Sequence, residues 1–202
     1  MTRVATRTVC KTAAANRRDR FSGVIEVSEY DPAWPERFGW LRDEYARAMA
    51  SANVPVVAIE HVGSTSVPGL AAKPIIDVDI VVAERDVEAA SRVLTGLGFR
   101  PEGDLGVPLR WAFKPPERLG RTNTYVIVEG SLSLRNHLAI RDTLRANTDL
   151  RERYAAVKRQ LSTTATSIDA YNPGKNAIIL QILAAAGLSD EDLSSIEANQ
   201  LN

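Results

Sequence analysis

The chain has 202 residues, 25 Lys+Arg against 25 Asp+Glu and 45% hydrophobic residues, which predicts one ordinary globular domain with or without a helical annex. One cysteine, Cys10, and two histidines, His61 and His137, exclude an intrachain disulfide framework, a cysteine-based zinc cluster and a multi-histidine metal site. No apolar run approaches the ~18 residues of a membrane span, so a cytoplasmic location without a membrane partner is expected. Charge is unevenly spread. Residues 1–23 carry Arg3, Arg7, Lys11, Arg17, Arg18 and Arg20 against the single acid Asp19. With no hydrophobic periodicity and no secretory pattern, this segment is expected to be a disordered basic tail. A basic arm alone is a weak signal, so nucleic acid is not the expected partner.

Gly23 to Tyr30 reads as a short strand closed by Asp31-Pro32. Pro35 then opens a helix with Phe38, Leu41, Tyr45 and Ala48 on one face. A strand is predicted over Val56–Ile59, a Gly/Ser/Pro-rich loop over 61–73, and a strand from Pro74 to Val82. A helix over about 85–97 ends at Gly98, and two strands follow, Leu109–Lys114 and Thr122–Glu129. From Arg135 the pattern is helical, over roughly 135–146, 149–165 and 173–187, with a short helix near 190–198. The predicted fold class is α+β, a mixed β-sheet flanked by helices with a C-terminal helical annex. The domain is expected over 24–187, its sheet part to about 130 and its annex beyond, leaving 188–202 as a short terminal helix and tail.

The informative segment runs from Ile59 to Asp79. Alternation on a strand puts Asp77 and Asp79 on one sheet face, about 6.5–7 Å apart, with Ile76, Val78, Ile80 and Val82 on the other. Two such acids repel unless a cation sits between them. Mg²⁺ (or Mn²⁺) suits this role, because it takes one or two carboxylates and completes its shell with substrate phosphates. Upstream, Gly63 allows a phosphate to approach the backbone closely, and Ser64 offers a hydroxyl and an amide. The plainer alternative is a solvated face of an amphipathic strand, which alternates in the same way.

A Gly-Ser pair ahead of an acid-x-acid strand resembles the nucleotidyltransferase signature. The longer run Ile59–Asp77 (IEHVGSTSVPGLAAKPIID) resembles the GrpB family of nucleotidyltransferase-like proteins. So do Tyr30–Pro35, His137–Arg145, Tyr154–Lys158 and Tyr171–Lys175, so that the resemblance covers about 24–187. It implies Asp77 and Asp79 as catalytic Mg²⁺ or Mn²⁺ ligands and Gly63 and Ser64 as phosphate binders. The implied reaction transfers NMP from an NTP, with ATP the first choice, to a small-molecule or peptide acceptor, and pyrophosphate leaves. A third acid or base is expected nearby, and Glu60, His61 and Glu129 are the candidates. The chain departs from the family at one strand: Thr122-Asn-Thr-Tyr-Val126 stands where a His-His-Leu-His pattern is usual. That departure favours a second reading, a catalytically impaired nucleotide-binding or accessory module.

Further candidates are basic. Arg110 and Lys114 alternate with Trp111 and Phe113, giving a strand with one basic face, and Lys73 stands at the mouth of the acid strand. His137, Arg141 and Arg145 share one helix side at i, i+4, i+8. Lys158 and Lys175 lie in segments that match the family. Arg110, Lys114, Lys73, Arg141, Arg145, Lys158 and Lys175 are therefore expected around the nucleotide phosphates. His61 is expected to be a loop residue bonding the backbone rather than a base, Tyr154 and Tyr171 to pack the annex, and Trp34, Trp40 and Trp111 to lie in the core.

Overall fold

The computed structural model describes residues 26–164 and 174–201. The expected basic tail, the beginning of the first expected strand and Tyr171 lie outside the described residues. Helix α1, Ala33–Ser51, starts where Asp31 Oδ1 accepts the Ala33 amide at 2.9 Å, and Pro35 falls in its first turn. Trp34, Leu41, Tyr45 and Met49 recur at helical spacing and are buried, whereas Trp40 is exposed and not in the core. Before α1, residues 26–30 make one isolated bridge, Ser28 to Ala72, instead of the expected strand. Pro74 has no amide with which to extend that ladder.

Strand β1, Ala58–Val62, is displaced from the expected Val56–Ile59 by its antiparallel ladder with β2, Ile76–Val82. Glu60 and His61 therefore lie on a strand, not at the head of a loop. Helix α2, Val87–Gly96, leads to β3, Arg100–Gly103, which pairs antiparallel with β4, Arg110–Lys114. Local composition hides β3, since Pro101 and Gly103 both disfavour strands. It is tolerated because β3 is the edge of the sheet. Strand β5, Thr122–Val128, lies between β2 and β4, parallel to the first and antiparallel to the second. The order β1-β2-β5-β4-β3 makes a five-stranded mixed sheet.

Alternation gives the sheet two different faces. Ile76, Val78, Ile80, Val82, Phe113 and Val126 pack with residues of α1 and α2 in the main core. The other face carries Asp77 and Asp79 on β2, Asn123 and Tyr125 on β5, and Arg110, Ala112 and Lys114 on β4. Above the acids it is apolar, where Val81 and Ile127 meet Leu134 of helix α3, Leu132–Ala146. Ser131 caps α3 by accepting the Leu134 amide, which starts the helix three residues earlier than the sequence pattern suggests. Helices α4, Thr148–Thr164, and α5, Asn176–Ala185, complete the annex, followed by α6, Asp190–Leu201. Leu144, Leu150, Tyr154, Ile178 and Ile182 close around Val67 and Leu70, so the loop after β1 is clamped between sheet and annex.

Candidate active site

The site centres on Asp77 and Asp79. Asp79 is fully buried, and His137 Nδ1 of α3 donates to its Oδ2 at 2.7 Å. Its Oδ1 is buried with no hydrogen-bond partner among the described residues. Asp77 is half-buried, and Asn123 Nδ2, opposite it on β5, donates to its Oδ1 at 2.6 Å. Burial pushes the Asp77 carboxyl up to about 6; the Asn123 amide, His137 and Lys175 pull it down, and Asp79 pushes it further up. Asp79 Oδ1 is thus left without a partner among the described residues, and Asp77 Oδ2 lies on the Gly63 side.

Gly63 fits against the other side of Asp77. Its φ of 67° and ψ of −172° lie where side-chain-bearing residues are strained, and a Cβ there would stand 2.8 Å from Asp77 Cγ. Ser64 follows in the 3-10 turn Ser64–Ser66, near the buried Tyr154 of α4. Burial drives the Tyr154 phenol up to about 12, against the effect of a hydrogen bond with Ser64. Tyr154 packs the annex as expected and, through Val67 and Leu70, also lies against the loop beside Asp77.

Three lysines surround the same corner. Lys158 is buried, with Nζ 4.6 Å from the Tyr154 ring centroid and no hydrogen-bond acceptor among the described residues. Burial first, then Lys175, Arg159 and Lys73, hold its ammonium down to about 7, while Asp77 works in the opposite direction. Lys175 is lowered to about 8 by burial and by Lys73, again against Asp77. Lys73 is lowered by burial and by Arg121. These groups lie within electrostatic reach of one another and of Asp77.

Other expected residues are placed differently. Glu60 opposes Asp79 on β1, yet its carboxylate pairs with Arg141, which also binds Asp142 and the His61 carbonyl. Arg145 donates through Nε and Nη2 to the Ser66 carbonyl at 3.1 and 2.7 Å. Both arginines therefore hold the β1 end and the following turn. Arg145→Ala is expected to lower stability by about 1–2 kcal/mol, because the Ser66 carbonyl loses two charged donors. A fall in the urea midpoint at unchanged slope would show this; an unchanged midpoint would show the turn holds without Arg145.

His61 faces away from Asp79. It stacks on Phe38 at 4.6 Å and bonds the Thr65 hydroxyl, so the expected backbone bond is replaced by a side-chain one. Burial, with Arg145 and Arg141, lowers its imidazole to about 4, and it is neutral at pH 7. Glu129 lies beyond β5, its amide bonded to the Val82 carbonyl, at the far end of β2 from Asp77. Arg110 and Lys114 do share the acid face, two strands from β2; Arg110 covers Tyr125 with its guanidinium carbon 4.7 Å from the ring centroid. Sequence patterning does not single out Asn123 as the partner of Asp77. The β2–β5 register supplies that signal.

No set of three His, Cys, Asp or Glu side chains among the described residues forms a ready metal cage. A two-carboxylate site with further oxygens from substrate fits the residues better. Asp77 Oδ2 lies beside Gly63, and Asp79 Oδ1 is buried without a partner among the described residues; carboxylate oxygens are the donors Mg²⁺ prefers. No helix among the described residues is long and apolar enough to cross a membrane.

Residues 24–185 match the family model described as GrpB protein. The chain belongs to the GrpB family. A UPF0157 protein of Streptomyces coelicolor is 38% identical over 169 residues, covering 81% of this chain and 84% of that protein. A UPF0157 protein of Bacillus subtilis, YqkA, is 33% identical over 75% of this chain, and the chain spans 44% of that longer relative. GrpB from Enterococcus faecalis has a similar structure, with a TM-score of 0.70, 30% identity and coverage of 80% of this chain and 96% of that one. GLD-2, in its complex with RNP-8, matches at a TM-score of 0.54 and 14% identity, covering 76% of this chain and 51% of that one. That likeness is one of fold, and this GrpB chain has a nucleotidyltransferase-like α+β fold.

Proposed function

We propose that this GrpB protein is a metal-dependent nucleotidyltransferase that moves NMP from an NTP, ATP first, to a small-molecule or peptide acceptor. The observation carrying this reading is the buried Asp79 Oδ1, without a partner among the described residues, beside Asp77, the Gly63-Ser64 turn and the lysine group. Asp77 and Asp79 would hold Mg²⁺ or Mn²⁺, which shields phosphate charge and polarises the reacting phosphoryl group when bound. The protein's share is placement. Gly63 leaves room beside Asp77, Ser64 offers its amide and hydroxyl, and Lys73, Lys158 and Lys175 neutralise the triphosphate tail. The acceptor's nucleophilic atom bonds to the α-phosphorus, the α–β bridging bond breaks, pyrophosphate leaves, and the acceptor loses a proton.

Asn123 favours a second reading. It fills the position across from Asp77 with an amide where a further acid or base would face the pair. A nucleotide-binding module without transfer activity would accept that residue. The two readings separate in one experiment. Purified protein is incubated with each NTP, Mg²⁺ or Mn²⁺ and a metabolite extract, and pyrophosphate and nucleotidylated products are followed by mass spectrometry. Products support transfer; a metal-dependent rise in Tm with NTP but no pyrophosphate supports the binding module. In either case Asp77→Asn/Asp79→Asn is expected to fold and to lose the Tm shift, whose underlying stabilisation is about 2.7 kcal/mol at a ligand concentration of 100 Kd. An unchanged shift would place the metal elsewhere.

A further inference from the structure

The cations around the acid pair fall into two groups. Lys73, Lys158 and Lys175 influence Asp77 from the loop and annex side. Arg110 and Lys114 lie on β4, separated from β2 by β5. Strand spacing puts β4 about 9–10 Å from β2 across the sheet. Gly63-Ser64 follow β1, on the side of β2 away from β5, so a triphosphate seated at that turn lies away from β4.

Arg110 is the unusual member. Its guanidinium lies over the Tyr125 ring, and its Nε is buried with no hydrogen-bond partner among the described residues. Other arginines close by are committed: Arg141 to Glu60 and Asp142, Arg145 to Ser66, Arg135 to Asp192. A half-buried guanidinium that no carboxylate satisfies has lost hydration without gaining an acceptor. Stacking fixes the plane of the group and keeps its fork ready for a planar or tetrahedral anion. Tyr125 opposes Asp79 in the β2–β5 register, and Ala112 opposes Tyr125 in turn, so a small side chain separates Arg110 from Lys114 on one face. Asn123 and Lys114 are exposed at the level of Asp77.

We propose that Arg110, with Lys114 beside it, forms a separate anion subsite for the acceptor, whose substrate class is a molecule bearing a carboxylate or phosphate group. This rests on the transferase reading for the word acceptor, but the anion subsite itself is tested independently. The anion on Arg110 anchors the acceptor across β5, and its nucleophilic atom extends over Tyr125 toward Asp79.

The test monitors the Arg110 Nε–Hε resonance by NMR, identified by its loss in Arg110→Gln, while inorganic phosphate or succinate is added. A saturable shift is expected with at least one anion, and apparent affinity at least tenfold weaker in Arg110→Gln, measured on nearby amides. Arg110→Lys, which keeps the charge but not the fork, should fall between them. Asp77→Asn/Asp79→Asn should leave the Arg110 shift in place. Saturating Mg²⁺ with a non-hydrolysable ATP analogue should not displace the anion. Displacement would assign Arg110 to the nucleotide's own phosphates and overturn the proposal, as would the absence of any saturable shift with either anion. If the nucleotide analogue fails to raise Tm while Arg110 still binds anion, the transferase reading falls and the anion subsite stands. A phosphate response without a succinate response selects the phosphate-bearing class.

Discussion

Gly63→Ala is expected to abolish the metal- and NTP-dependent rise in Tm and to lower stability by about 2–4 kcal/mol. Two separate costs add. The backbone at Gly63, with φ 67° and ψ −172°, lies in a region nearly reserved for glycine, and forcing alanine into it costs about 1–3 kcal/mol. The added methyl group also meets the Asp77 carboxylate, which cannot retreat because Asn123 holds its other oxygen. Gly69→Ala provides the control. It has φ 77° in the same loop but nothing within 4 Å of an added Cβ, so it is expected to lower stability by about 1 kcal/mol and keep the Tm shift. Urea unfolding and thermal melts with Mg²⁺ and ATP read both quantities. Equal loss of the shift in the two variants would mean that loop strain, not contact with Asp77, governs the site.

The acid pair was legible in the sequence because strand alternation is local: wherever β2 lies, Asp77 and Asp79 share a face. Its partners were not, since each depends on where a distant element lands. His137 and Arg141 are four residues apart on α3, yet one reaches Asp79 and the other Glu60, a difference set by how α3 crosses β1 and β2. Asn123 becomes the partner of Asp77 only through the parallel β2–β5 register. A shift of two residues in where β1 starts brought Glu60, expected just past the strand, and His61, expected in the loop, onto the strand and sent them to opposite faces. β3 stayed hidden because Pro101 and Gly103 are tolerated at a sheet edge by tertiary pairing, which local preference does not report. The annex helices were legible from their period, but the burial of Lys158 was not: a lysine on a polar stretch of α4 reads as solvated, and only tertiary packing buries it over the Tyr154 ring.

That burial carries the last prediction, Lys158→Met, which is expected to raise stability near pH 7 by about 1–3 kcal/mol while weakening NTP binding. The ammonium has left water without finding an acceptor among the described residues, and its nearest compensation is the face of Tyr154. Methionine has a similar reach, has no charge to desolvate and retains contact with the ring. The pH dependence gives the signature. With Lys158 at about 7 in the folded chain and 10.5 as its ordinary value, the unfolded chain binds more protons between these limits, so stability rises with pH across that window. Lys175, at about 8, adds a second rise from there upward. The variant should lose the slope between about pH 7 and 8 and about half of it from there to 10.5, where Lys175 still contributes. Urea midpoints from pH 6 to 10, with NTP-induced Tm shifts on the same samples, measure both effects. Lower stability at pH 7 with an unchanged pH slope would show that Lys158 already has its acceptor in the folded protein. A gain in stability with undiminished NTP binding would remove Lys158 from the phosphate side. Greater stability with weaker binding is the combination expected of a buried cation retained for an anion that arrives only with the substrate.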